Sequence, residues 1–331
     1  MTAPISVGDQ SGSVAVSFVI PALNEAHHLP ATLRALKDHV PSAISYEVIV
    51  VDNGSTDGTE QAAAAGGAAK VLRSLGSPGA ARNVGVAQAS GTILVFLDAD
   101  VLITPEWKAA IESKLAMLRD APRTVTGSWV SIPPEASWIE ECWFGPLEHR
   151  AHRHVNSGHM IISRAFFAEL GGFDATLRSG EDWDLSRRAI AAGGRLVPDQ
   201  ELRVIHVGYP RTLRKFFSRE LWHGAGDVRS FRAWIRSPVA VVASAWLLSF
   251  AVLLVALLRG SLSTTLVAAL FAAGTPAAAA WRTFRGNGVK TLAVNTFLFG
   301  VYFAARALAV LSPSISGAHG TRGAQRGTRS A

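Results

Sequence analysis

The 331-residue sequence predicts an open, doubly wound α/β sheet of mostly parallel strands, followed by hydrophobic transmembrane or interfacial helices. Three observations carry this. Short, nearly continuous apolar runs alternate with helix-forming stretches up to about Asp100, as parallel strands covered on both faces require. A polar, acid-rich turn follows each run, where open sheets of this kind bind their ligands. Charge divides the chain: residues 1–236 hold 24 basic and 25 acidic side chains, whereas 237–331 hold 8 basic and none acidic.

The elements follow in order. Residues 1–13 are polar, lack basic side chains and read as a disordered leader without a secretory signal. The runs VSFVI, EVIVV and TILVFL, ending at Ile20, Val51 and Leu97, are the predicted strands. Glu25–Val40 and Thr56–Ala65 are the helices between them. A further helix is expected over Pro105–Leu118, with Thr104 as its cap and Pro105 at its first position. A strand is expected near Val125–Val130, then a loop-rich, tryptophan-containing segment from Ile132 to Asn156. Phe166–Leu170 and Asp184–Ala192 read as helices stopped by Gly171–Gly172 and Gly193–Gly194. The α/β domain is set at residues 14–208.

Beyond it the composition changes. Residues 209–236 interleave cations with Phe216, Phe217, Trp222, Phe231 and Trp234, a pattern suited to an anionic membrane surface. The membrane region is placed at 237–311. Residues 239–258 and 261–281 are free of charge and long enough to cross a hydrocarbon core of about 30 Å. A third apolar stretch, 291–311, carries Arg306, and a central arginine costs about 2.5–3.5 kcal/mol on insertion scales, so it is expected to lie at the interface. Residues 312–331 read as a basic, flexible tail. Arg229, Arg232 and Arg236 before the first span, and Arg282, Arg285 and Lys290 after the second, put the large domain in the cytoplasm. The net charge of +7 therefore belongs to a membrane region and does not call for nucleic acid. The single Cys142 rules out an intramolecular disulfide and a multi-cysteine metal site.

Chemistry is expected at the strand ends: Pro21-Ala22-Leu23-Asn24-Glu25, Asp52-Asn53-Gly54-Ser55-Thr56-Asp57-Gly58 and Asp98-Ala99-Asp100. Two carboxylates two residues apart after an apolar strand suit a hard cation that keeps waters and takes its other ligands from phosphates. Asp52 is either a ligand contact or an ordinary turn and cap residue. The sequence has no G-x-x-x-x-G-K-[ST] loop, no G-x-G-x-x-G after the first strand, no G-x-S-x-G elbow and no H-E-x-x-H. His149, His152 and His154 are a conceivable zinc set without fixed spacing.

Taken in order, FVIPALNEAHHLPATL, EVIVVDNGSTDGT, GAARNVGVAQASGTILVFLDAD and GGFDATLRSGEDWDLSRR resemble the catalytic domain of a family 2 glycosyltransferase with the GT-A fold, over about residues 15–210. The resemblance implies a nucleotide-diphosphate sugar donor, UDP- or GDP-linked, a divalent Mg²⁺ or Mn²⁺, and inverting transfer. It assigns Pro21, Ala22, Asn24, Glu25, Asp52 and Arg82 to the nucleotide pocket, with Asp98 and Ala99 in the D-x-D that also faces the donor. Asp98 and Asp100 are its metal contacts, and Asp182 is the general base. His206 is either a further metal ligand or a structural histidine. Glu181, Trp183, Arg187 and Arg188 are read as acceptor contacts or supports; for the arginines, structural ion pairs are the simpler account. A membrane lipid or lipid-linked glycan is the expected acceptor. Two other classes compete: a sugar-phosphate nucleotidyltransferase, which would open with a Gly-rich basic loop after the first strand, and a non-catalytic membrane scaffold.

Overall fold

The computed structural model describes residues 14–148, 154–177, 179–227 and 231–309. The chain forms two compact units, Met1–Tyr209 and Pro210–Ala331. The expected leader and tail, and His149 and His152 of the conceivable zinc set, lie outside the described residues.

The first unit contains strands β1 (Val16–Ala22), β2 (Tyr46–Asp52), β3 (Lys70–Arg73), β4 (Ile93–Leu97), β5 (Val101–Ile103), β6 (Thr124–Gly127), β7 (His159–Ser163), β8 (Arg195–Pro198) and β9 (Val204–His206). Its helices are α1 (Leu29–His39), α2 (Thr59–Ala65), α3 (Pro78–Ala87), α4 (Pro105–Asp120), α5 (Arg164–Glu169) and α6 (Glu181–Ala191). Seven strands form one sheet in the order β3-β2-β1-β4-β7-β6-β8. Only β7 runs against its neighbours; the other pairs are parallel. Strands β5 and β9 pair separately, antiparallel.

The apolar runs are continuous because both faces are covered. Phe18, Ile20, Val48, Val50, Val95 and Leu97 pack on one side with Leu29, Leu33 and Leu36 of α1 and Trp107, Ile111 and Leu118 of α4. The alternate residues Val19, Ile49, Val51, Leu94 and Phe96 pack on the other with Phe166 and Phe167 of α5 and Leu185 and Ala189 of α6. Thr104 caps α4 as expected, its hydroxyl accepting from the Trp107 amide at 3.3 Å, with Pro105 in the first turn. The α6 helix begins three residues before the expected Asp184, since Gly180 stands at φ +80° and turns the chain into it. Glu181 and Asp182 are thereby placed in the first turn.

The second unit contains α7 (Leu213–Asp227), α8 (Phe231–Arg236), α9 (Pro238–Leu258), α10 (Leu262–Phe284) and α11 (Gly288–Leu308). Helices α9, α10 and α11 are each long and apolar enough to cross a membrane. Arg306, which directed the third stretch to the interface at the sequence level, falls in the last turn of α11, not at its centre. Its Nη2 lies 3.0 Å from Oε2 of Glu220 on α7, and the other oxygen of that carboxylate is 2.5 Å from Nη1 of Arg219. Glu220 is 2% exposed, so two guanidinium groups share one buried carboxylate. Beside them, burial and the Arg219 charge push His223 down to about 4 and keep it neutral at physiological pH. Glu220→Ala is expected to lower the thermal midpoint of the helical unit in detergent by the equivalent of roughly 3 kcal/mol. Adding Arg306→Ala should recover part of it, and an unchanged midpoint would contradict the pairing.

Candidate active site

The sheet order places β2, β1 and β4 side by side and parallel, with Ala22 in register with Asp52 and Val19 with Phe96. Their carboxyl ends therefore bring all three acid-rich turns to one edge. Pro21 and Ala22 belong to β1 itself. Asn24 is the one non-glycine among the described residues with a positive φ, +57°. Asparagine tolerates that region better than most side chains, and the surrounding bonds enforce it. The Asn24 amide donates to the Ser55 hydroxyl at 2.8 Å, and the Thr56 amide donates to Asn24 Oδ1 at 2.9 Å. Asp52 is buried and accepts from the Ser55 amide at 3.1 Å and from the Ser55 hydroxyl. Its visible work is to shape the turn. Asn53 ties this turn to the loop after β3 by exchanging two bonds with the Gly76 backbone, at 3.0 and 2.9 Å.

The D-x-D turn is held by its backbone. The Asp98 amide donates to the Gly158 carbonyl at 3.1 Å, Thr32 Oγ1 donates to the Ala99 carbonyl at 2.7 Å, and the Val207 amide donates to the Asp100 carbonyl at 2.9 Å. The Asp98 side chain is about one-third exposed and Asp100 is largely covered. Burial, reinforced by the Asp98 charge, pushes the Asp100 carboxyl up, while His206 opposes the shift. Burial likewise raises Glu25, whose Oε2 lies 2.9 Å from His28 Nδ1; the charges of Asp100 and Asp98 add to that rise. His206 Nε2 lies 3.5 Å from Asp100 Oδ2. Its ring stacks on Tyr209 at 4.1 Å, and Tyr209 stacks on Phe144 at 4.0 Å. The His206 Nδ1 atom is buried without a partner.

These residues suit a hard cation. Carboxyls crowded together and raised by burial gain from a nearby positive charge, and the aspartates supply the oxygen ligands that such a cation takes. Among the described residues no three acidic, histidine or cysteine side chains converge on one point. A cation here would therefore complete its shell with phosphate oxygens and water, as Mg²⁺ and Mn²⁺ commonly do.

Across the site stands the first turn of α6, where the helix dipole favours carboxylates. Asp182 Oδ1 accepts from the Trp183 amide at 2.7 Å; its Oδ2 is 3.4 Å from the Ser157 amide and 3.8 Å from His154 Nε2. Glu181 is buried, accepting from Arg82 Nη1 at 2.9 Å and from Ser157 Oγ at 3.0 Å. Arg188 is a support: it pairs with Asp184 at 2.7 Å and donates to the carbonyls of Leu170 and Gly172, at 2.5 and 2.8 Å. Arg187 pairs more loosely with Asp184, at 3.4 Å, and lies over the exposed Trp183 ring at 5.9 Å. His159 is structural. It accepts from Trp107 Nε1 at 2.9 Å, faces Ser128 at 3.0 Å, and burial pushes it down to about 3.

A family model described as Glycosyl transferase family 2 matches residues 17–163, from β1 through β7. An uncharacterized glycosyltransferase of Mycobacterium tuberculosis is 33% identical over 190 residues, covering 55% of this chain and 82% of the relative. Glycosyltransferase AglE of Haloferax volcanii is 41% identical over 208 residues, covering 59% of this chain and 67% of the relative. This chain belongs to glycosyltransferase family 2. The mannosyltransferase PcManGT of Pyrobaculum calidifontis shares the fold at a TM-score of 0.58 with 22% identity, over 94% of this chain and 91% of the other. The matched family region carries Asn24, Asp52, Arg82, Asp98 and Asp100 of this glycosyltransferase, while Glu181, Asp182 and His206 lie beyond it.

Two site residues escaped the sequence. Ser157 bonds the carboxylates of Glu181 and Asp182 and stands in the stretch just before β7, where no pattern announces contact with a helix some twenty residues later. Gly208 lies against Asp100: a Cβ at this position would overlap Asp100 Oδ2 and press on its Cγ at 2.7 Å. Gly208→Ala is therefore expected to leave far-UV circular dichroism unchanged and to weaken Mn²⁺-dependent binding of UDP or GDP about tenfold or more. Unaltered binding by calorimetry would show that Asp100 needs no such space.

Proposed function

We propose that this glycosyltransferase moves a sugar, with inversion, from a UDP- or GDP-linked donor to a membrane lipid or lipid-linked glycan at the cytoplasmic face, using Mg²⁺ or Mn²⁺. The observation that carries the reading is the presence, at one edge of the sheet, of two separate acidic groups. Asp98 and Asp100 end a strand, Asp182 opens a helix, and a single guanidinium contacts both Asp98 and the residue before Asp182. The mannosyltransferase of like fold was solved with GDP-Man and Mn²⁺, which sets the donor chemistry to test first.

The residues divide the work. The Asn24 and Asp52 turns, with Pro21, Ala22 and Glu25, frame the nucleotide pocket. Asp98 and Asp100 are the carboxylates that would hold the cation together with phosphate oxygens and water, with His206 beside Asp100 at 3.5 Å. When bound there, a divalent ion would offset the charge that builds on the departing diphosphate. Asp182 Oδ2, met by a long bond from the Ser157 amide and by His154 Nε2 at 3.8 Å, accepts the proton of the acceptor hydroxyl as its oxygen attacks the anomeric carbon. The bond from that carbon to the diphosphate oxygen breaks, nucleoside diphosphate leaves, and the configuration inverts. Exposed Trp183 beside the base offers the acceptor an apolar face.

The membrane part of the reading rests on charge as well as length. Helices α9 and α10 are apolar along 21 and 23 residues, and Arg232 and Arg236 before them and Arg282, Arg285 and Lys290 at their end flank them on the side assigned to the cytoplasm, against Arg259 alone in the turn between. A site covalently joined to such helices acts on acceptors that share the bilayer.

The test is release of nucleoside diphosphate from a panel of UDP- and GDP-sugars, with Mn²⁺ and membrane lipid extract. Asp182→Asn is expected to lower turnover about a hundredfold or more while donor affinity stays within about twofold. Pyrophosphate as the product, or full activity in Asp182→Asn, would overturn the assignment.

A further inference from the structure

Arg82 is 3% exposed and sits between the two halves of the site. Its Nη2 lies 2.6 Å from Asp98 Oδ1 and its Nη1 lies 2.9 Å from Glu181 Oε1; the guanidinium carbon stands 5.7 Å from the centre of the Phe173 ring. The Nε atom is buried without a partner, and the two terminal nitrogens each donate to one carboxylate. Glu181 is further held by Ser157 Oγ at 3.0 Å, and the next residue but one along that loop, His159, opens β7 beside the D-x-D strand. Gly158, between them, accepts the Asp98 amide. Asp98 and Glu181 thus belong to one closed ring of contacts running through α3, the end of β4, the Ser157–Gly158 turn and the first turn of α6.

We infer that Arg82 is a positioning residue that couples the donor and acceptor sides of the site: its guanidinium orients Asp98 toward the donor and, through Glu181, fixes the helix turn that presents Asp182 to the acceptor. The alternative it displaces is an arginine that merely touches the nucleotide. A guanidinium enclosed this far, with both terminal nitrogens engaged on protein carboxylates, has its hydrogen bonds directed inward. Its planar fork offers a separate nitrogen to each carboxylate, whereas a lysine would offer both the same one. Removing it leaves Glu181 buried beside Asp182 with no cation, so the turn of α6 relaxes along with Asp98.

The inference rests on the glycosyltransferase reading above, and the experiment separates the two. The full chain in detergent is titrated with Mn²⁺ plus UDP or GDP by calorimetry, and nucleoside diphosphate release is followed at saturating sugar nucleotide. Arg82→Met is expected to weaken nucleotide binding and to lower kcat, each about tenfold or more. Glu181→Gln should lower kcat about tenfold while nucleotide affinity stays within about twofold, and Arg82→Met with Glu181→Gln should have the kcat of Arg82→Met alone within about twofold, the signature of one unit. Arg82→Lys retains the charge; it should recover most of the affinity and leave kcat several-fold low. It is the variant that decides if Arg82→Met does not fold. Loss of affinity alone in Arg82→Met, effects of Arg82→Met and Glu181→Gln that multiply, or a normal kcat in Arg82→Lys would each overturn the coupling. Failure of the unaltered chain to bind either nucleotide would instead overturn the donor reading, and the coupling with it.

Discussion

The site is organised around a buried cation that the protein supplies itself. Burying a guanidinium costs several kcal/mol unless its hydrogen bonds are met by well-placed partners, and Arg82 meets that requirement with Asp98 on one side and Glu181 on the other. The cost is what makes the arrangement specific. Neither carboxylate can move far without stranding the charge between them, so the end of β4 and the beginning of α6 are held in one geometry although eighty residues separate them. Phe173, packed on Phe96, covers the guanidinium on one side, and Phe167 packs on both rings.

Much of this was legible in the sequence, and the exceptions share a physical cause. Strands β1, β2 and β4 announce themselves as continuous apolar runs because they occupy the middle of the sheet. The edge strands β3 and β8 are four residues long and carry Lys70, Arg73 and Arg195, so no periodicity marks them. The three-residue strands β5 and β9 exist only through their pairing with each other. Strand β7 was hidden for a different reason: His-Met-Ile-Ile-Ser is short, and its antiparallel direction follows from topology rather than pattern. Among site residues, the acidic motifs were readable because strand ends and helix starts are local features. The contacts of Arg82, Ser157 and Gly208 were not, since each depends on segments brought together only by folding.

Charge follows the same division in the second unit. The acid-free stretch from residue 237 onward first reads as a uniformly cationic anchor. Arg306 nevertheless finds a carboxylate, Glu220, which lies outside that stretch on α7. A polar group in an apolar helix is thus accommodated near its end and with a partner, where the penalty is far below that at a bilayer centre. Both units solve a related problem, one buried ion shared by two of opposite sign, with the signs exchanged.

On the proposed function, Asp98 and Asp100 form a donor site that works through a divalent cation. Electron paramagnetic resonance of Mn²⁺ tests it directly, since protein-bound Mn²⁺ loses the sharp spectrum of the free ion. Weak Mn²⁺ binding is expected for the chain alone, much tighter binding once UDP or GDP is added, and loss of that gain in Asp100→Asn. Nucleotide binding that is equally tight in excess chelator, with the Mn²⁺ spectrum unchanged by protein, would contradict it.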